Sequence, residues 1–279
     1  MRKLLYQAGD LLQEMFYVYR ENVFDKLIVN IEHKDGKMYI YEGVYGRLQN
    51  NFDLLEPFPH HLVSNEEDKH AILAHLSCGE AVGWMNELIE HVLKDIASEL
   101  EEYSIIFKNS KRTLVAVAIT GREDTYTYQH EIIQVTLKQS GEQYVLDLAG
   151  AQYGYHDTVI PSSTYFSSRV ASIEARNPMG CMRRWYMQKL QAAGTRTSDL
   201  VVGVIALNRR ASQTLKGIIV RWEKVYGRSM KEILGESQDF VKVKNELPAA
   251  LGNVLKEFLE EIRNHEEAKK NGSSGGTGS

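Results

Sequence analysis

Three residues in this chain have the types and the order needed for thiol chemistry: Cys78, His130 and Asp147. Cys78 stands just before an apolar pattern that repeats at steps of three and four (Val82, Met85, Ile89, Val92, Leu93, Ile96, Leu100), with Glu87, Glu90, Lys94 and Glu99 on much of the other face. The spacing predicts a helix of about six turns with one buried stripe. A cysteine at its N-terminal end lies at the positive pole of the macrodipole, which favours thiolate over thiol. His130 opens the run His-Glu-Ile-Ile-Gln-Val-Thr-Leu, and Asp147 lies in Gln-Tyr-Val-Leu-Asp-Leu-Ala, with Gln139-Ser-Gly-Glu as the turn between them. Two such strands hairpin together and can set the histidine beside the acid. A carboxylate there takes the imidazole proton and fixes the tautomer, while the other ring nitrogen draws off the thiol proton. The product is an attacking thiolate–imidazolium pair.

Two more residues are candidates by position. Gln152, inside Gly150-Ala-Gln-Tyr-Gly154, carries a side-chain amide that could stabilise an oxyanion. Trp84 is the aromatic nearest after Cys78, six positions on, and is a candidate for contact with substrate. Each residue also has an ordinary reading: a small core hydrophobe for Cys78, a half-exposed strand position for His130, a turn cap for Asp147, a surface amide for Gln152. The order of the three, not any one of them, points to catalysis.

The elements that must position them read as follows. Residues 4–28 predict one or two amphipathic helices. Asp35-Gly36 between two alternating runs predicts a hairpin. Leu54 to Leu62 is a loop punctuated by Pro57 and Pro59, and Ser64 with Glu67 forms a capping box for a helix through Leu76. Thr113 to Thr120, continuously apolar, predicts a central strand. Tyr165 to Ala175 and Pro178 to Gln191 predict helices, and Leu200 to Leu207 is either a strand or a buried helix. Leu215 to Leu234 and Ala249 to His265 are helical. The whole is α+β: a mostly antiparallel sheet, the Cys78-bearing helix packed on it, and a helical C-terminal region. One domain spans residues 1–270, with 76–154 as the candidate catalytic core, 165–270 as a mainly helical extension and 271–279 as a disordered tail.

Ser77-Cys78-Gly79, His130-Glu131-Ile132-Ile133 and Val145-Leu146-Asp147-Leu148 resemble, in order and element type, the core of the papain-like cysteine hydrolases, especially the transglutaminase-like branch. The resemblance covers residues 76–154. It implies Cys78 as nucleophile, His130 as general base and acid, Asp147 as orienting group, and acyl transfer from an amide or ester through a thioester. It implies no cofactor and a peptide or protein amide as substrate. The chain departs from the family in lacking an aromatic residue beside the nucleophile and after the histidine.

Composition bounds the remaining classes. At 43% hydrophobic and 25% charged residues the chain is of globular type, and a formal charge of −4 argues against nucleic acid or an anionic membrane as partner. No apolar run approaches the roughly 18 residues of a membrane span. Two cysteines without a disulfide framework place the protein in a reducing compartment, read as the cytoplasm. His60, His61, His70 and His75 lack ligand spacing, as do His130 and His156 with Cys78 and Cys181, so no metal is expected. Arg183-Arg184 and Arg209-Arg210 read as solvated helix faces. The competing class is a non-catalytic interaction protein that binds a partner through its helices from Leu215 to His265.

Overall fold

The structure, a computed structural model, describes residues 1–44, 55–191 and 196–273. Its first element is a helix, α1 (Arg2–Asn22). Leu5, Leu12, Met15, Phe16 and Tyr19 have no exposed surface, so α1 is an inner element rather than a surface one. A hairpin follows: β1 (Ile28–Lys34) and β2 (Lys37–Glu42). Asp35 and Gly36 both take positive φ, 52° and 72°, the backbone of a type I′ turn, as Asp-Gly predicts. α2 (Glu66–Ala74) is capped by Asn65, whose side chain accepts the Asp68 N–H. The expected cap at Ser64 is thus displaced by one residue, because the Asn65 carbonyl reaches the same orphan donors. Leu54 lies outside the described residues.

α3 (Cys78–Gly83) and α4 (Asn86–Leu93) replace the single six-turn helix that the periodicity predicts. The rest of that pattern belongs to a strand, β3 (Ala97–Phe107). Ile96 and Leu100 satisfy a helical step, but the strand that runs on from Ala97 pairs on both sides, which outweighs helix propensity. β4 (Leu114–Val117) pairs with β2 in parallel and lies at the edge of a three-stranded sheet, β1-β2-β4, not at its centre as its apolar run suggests.

The second sheet is antiparallel throughout, with order β7-β6-β5-β3-β8. It contains β5 (His130–Leu137), β6 (Gln143–Leu146) and β7 (Val159–Pro161). α5 (Ser162–Arg169) then leads into β8 (Val170–Pro178), where a continued helix was expected. β8 is an edge strand, exposed at most positions, so no alternation of buried and exposed residues marks it in the sequence.

The C-terminal region is helical: α6 (Cys181–Gln191), α7 (Arg196–Tyr226), α8 (Met230–Gly235) and α9 (Ser237–Ser273). The apolar run at Leu200 is therefore helix. α9 continues to Ser273, past the start of the expected tail, and residues 274–279 lie outside the described residues. Leu215, Ile219, Leu234, Leu247, Leu251 and Leu255 are fully buried in the same core as α1. The architecture is α+β, with a mostly antiparallel sheet and a helical C-terminal region. Among the described residues, no helix is long and apolar enough to cross a membrane.

α6 approaches α3 very closely. Its Tyr186 ring stacks on Trp84 at 4.9 Å and lies over Gly79 and Gly83. A Cβ at Gly83 would sit 2.8 Å from a Tyr186 ring carbon and 3.2 Å from Met182 Cγ, inside van der Waals contact. Gly83→Ala is therefore expected to destabilise the fold by about 1–3 kcal/mol, as overpacking does, measured by chemical denaturation. An unchanged midpoint would mean that Tyr186 moves freely.

Candidate active site

The site forms where α3 meets the start of β5. Register places Ile133 opposite Leu146, so His130 and Asp147 project from the open end of the β5–β6 pair. His130 has no exposed surface and Asp147 is 3% exposed. His130 Nε2 lies 3.0 Å from Asp147 Oδ1 and donates to it. Cys78 lies near the same ring and helps to raise its pKa. Cys78 is half-buried, and its Sγ donates to the Gln129 carbonyl at 3.8 Å, so it sits beside the residue that precedes the histidine.

The carboxylate is held from three directions. Besides His130, the Tyr165 hydroxyl donates to Oδ2 at 2.7 Å and the Ala149 N–H donates to Oδ1 at 3.1 Å. The last contact is the turn cap of the ordinary reading, so Asp147 both caps a turn and orients a histidine. Burial alone would raise its carboxyl. The His130 charge and these donors overcome burial and hold it below the usual range. Burial likewise opposes a charged imidazole, but Asp147, and to a lesser degree Cys78, push His130 up to about 10. The folded protein thus favours imidazolium at neutral pH.

Gln152, 6% exposed, is committed at both ends. Its Oε1 accepts the Leu76 N–H at 3.1 Å, and its Nε2 donates to the Ala149 carbonyl at 3.1 Å and lies 3.4 Å from His130 Nδ1. The residue read from sequence as an oxyanion candidate thus uses its amide to tie the turn before Cys78 to the histidine. Leu76 has φ of 54°, a left-handed conformation that a leucine adopts only when its surroundings impose it. Gln152 imposes it from one side. Lys26, whose ammonium donates to the neighbouring His75 carbonyl, does so from the other. Trp84, the candidate for substrate contact, is 1% exposed and packs against Tyr186.

Several contributors went unread. Phe107 and Tyr153, stacked on each other at 4.1 Å, both present faces or edges to the His130 ring at near right angles, 5.6 and 5.0 Å away. They supply, from β3 and the turn after Asp147, the aromatic wall that the histidine strand itself lacks. Tyr165 reaches the carboxylate from α5, and nothing in its sequence context marks it. Tyr165→Phe removes a donor to a buried carboxylate. It is expected to lower stability by about 1–2 kcal/mol and to slow alkylation of Cys78 several-fold. Full stability and an unchanged rate would reduce Tyr165 to packing.

Outside this cluster, His60 pairs with Glu21 and His70 stacks on Tyr17. Among the described residues, no group of three or more His, Cys, Asp or Glu is arranged to hold a metal ion. Arg183 pairs with Glu87. Family models, curated proteins and solved structures were compared with the chain, and none matches it.

Proposed function

We propose that this chain is a cysteine-dependent hydrolase or acyltransferase acting on an amide or ester through a thioester. The observation that carries the proposal is the buried Asp147–His130 pair, 3.0 Å apart, with Cys78 seated beside it at the Gln129 carbonyl. In this reading Cys78 attacks the carbonyl carbon, and His130 keeps the thiol proton as imidazolium and passes it to the leaving group. Water or an acceptor amine then attacks the thioester, giving up a proton to His130, and thiolate leaves. The first amide N–H groups of α3, at Cys78 and Gly79, have no acceptor within the helix and are the donors available to the oxyanion. With only six residues in α3, its dipole contributes less than a long helix would, so activation falls mainly to His130. The order of elements and this geometry support a papain-like, transglutaminase-like relationship, and the two free cysteines support a reducing, cytoplasmic setting.

The competing interaction-module reading has less support, because the apolar stripe of the Leu215–His265 helices is buried against α1. The test is selective labelling. Cys78 and Cys181 are both half-buried, so accessibility alone does not separate them. Cys78 is expected to react with iodoacetamide near neutral pH on the order of ten times faster than Cys181 or more. Equally slow labelling of both would remove the case for an activated nucleophile.

A further inference from the structure

A cavity of about 310 Å³ adjoins the triad on its histidine side. Its inner wall is the Phe107–Tyr153 stack together with Gln152, the groups that touch His130, and Leu76, two residues before Cys78, closes one corner. Its outer wall is Tyr126 and Tyr128, which are 79% and 45% exposed. Asp124 holds both, accepting from the Tyr126 N–H and the Tyr128 hydroxyl. These tyrosines stand on the segment that ends in Gln129, whose carbonyl meets the Cys78 thiol. The cavity and the nucleophile therefore share one strip of chain.

The cavity presents no uncompensated charge. Of its lining residues only Arg112 and His75 can be ionised near neutral pH. Arg112 donates to Asp68 Oδ1 at 2.8 Å and to the Glu67 carbonyl at 3.1 Å, so its charge is turned away into that pairing. Burial holds His75 neutral, at about 3, and its Nε2 has no hydrogen-bond partner. Four aromatic rings, Leu76 and Leu114 share the rest of the lining with the uncharged Ser110, Thr113, Thr127 and Gln152. An anionic or cationic group entering here would be desolvated without a counter-charge, whereas a flat apolar group would bury its faces against the rings.

Resting on the proposed function, we infer that this cavity is the specificity pocket of the enzyme and takes an uncharged aromatic group carried close to the reacting carbonyl. Substrates are then amides or esters of aromatic acyl or aminoacyl units, and units with acidic side chains are excluded by the missing counter-charge.

The test uses the full chain and three alkylating probes: iodoacetamide, N-(2-phenylethyl)iodoacetamide and N-(2-carboxyethyl)iodoacetamide. In each, the Cys78 thiolate displaces iodide and a C–S bond replaces the C–I bond. Rates are divided by those with N-acetylcysteine to remove intrinsic reactivity. The phenylethyl probe is expected to label Cys78 about tenfold faster than either of the others. In a Tyr126→Ala, Tyr128→Ala double variant, the ratio of the phenylethyl rate to the iodoacetamide rate is expected to fall to about twofold or less. Rapid labelling by iodoacetamide with no phenylethyl advantage overturns the pocket and leaves the nucleophile standing. An advantage that survives in the double variant overturns the assignment of its outer wall. Slow labelling by all three probes overturns the nucleophile, and the pocket with it.

Discussion

Asp147→Asn is expected to slow alkylation of Cys78 at neutral pH by on the order of 10- to 100-fold while leaving the fold in place. Asparagine keeps the size of the side chain and an oxygen for the Ala149 N–H, and its NH2 can donate to the Tyr165 hydroxyl, so the turn cap survives. What it loses is the charge that lifts His130 from its ordinary 6.5 to about 10. Two-dimensional NMR of the imidazole should show its titration moving down toward the ordinary value, alongside the slower alkylation. The pair also writes itself into stability. Because the folded-state value of His130 is raised, its stabilisation is complete below about pH 6.5 and drains away as pH climbs to about 10. Asp147 has the opposite sign: its contribution is present above the ordinary carboxylate range and is lost as pH falls below it. Unfolding free energies of wild type and His130→Gln between pH 6.5 and 10 should therefore converge with rising pH. An unshifted alkylation rate with a lowered melting point in Asp147→Asn would leave Asp147 as a cap alone and sink the triad.

The second large effect lies behind the site. Arg20, 1% exposed, projects from α1 and donates to Asp25 at 2.8 Å, with Glu80 of α3 and Lys26 nearby. Burial lowers Lys26 to about 8, with help from the Arg20 charge, while burial raises Glu80 against the pull of Arg20. Arg20, with Lys26, thus supplies the positive charge that lets two carboxylates sit together under the nucleophile's helix. Arg20→Met keeps much of the volume and removes the charge. It is expected to cost about 3–5 kcal/mol of unfolding free energy in urea, the scale for breaking a buried pair by deleting one partner. A loss below about 1 kcal/mol would mean that water reaches the cluster and screens it.

How much of this could be read from residues alone depends on whether the signal was local. The hairpin at Asp35-Gly36 and the β5–β6 pair were legible because turn chemistry and alternation both lie in a short window. The succession of Cys78, His130 and Asp147 was legible because each stands at the edge of such an element. The long helix after Cys78 was misread because Ile96 and Leu100 fit a helical step, while the strand partners that override it lie tens of residues away. β8 gave no signal because an edge strand exposed at most positions has no buried face to alternate with. Side-chain direction was legible nowhere: Gln152 turns inward to hold Leu76, Trp84 turns into the core, and Tyr165 reaches Asp147 from another element. Arg20 hides for the same reason, as a charge on a helix looks solvated until α3 is laid over it.

The burial of α1 has a consequence for how the protein is made. α1 leaves the ribosome well before α9, which packs along it and supplies Leu247, Leu251 and Leu255 to the same core. At about 5–20 residues per second, roughly 10–40 s pass between the two. Through that interval Leu5, Leu12, Met15 and Phe16 lack their final cover, and the nascent chain offers chaperones a sticky apolar ridge. A transcript truncated before α9 would yield a polypeptide that never hides this ridge, and quality-control proteases would have a ready mark for clearing it.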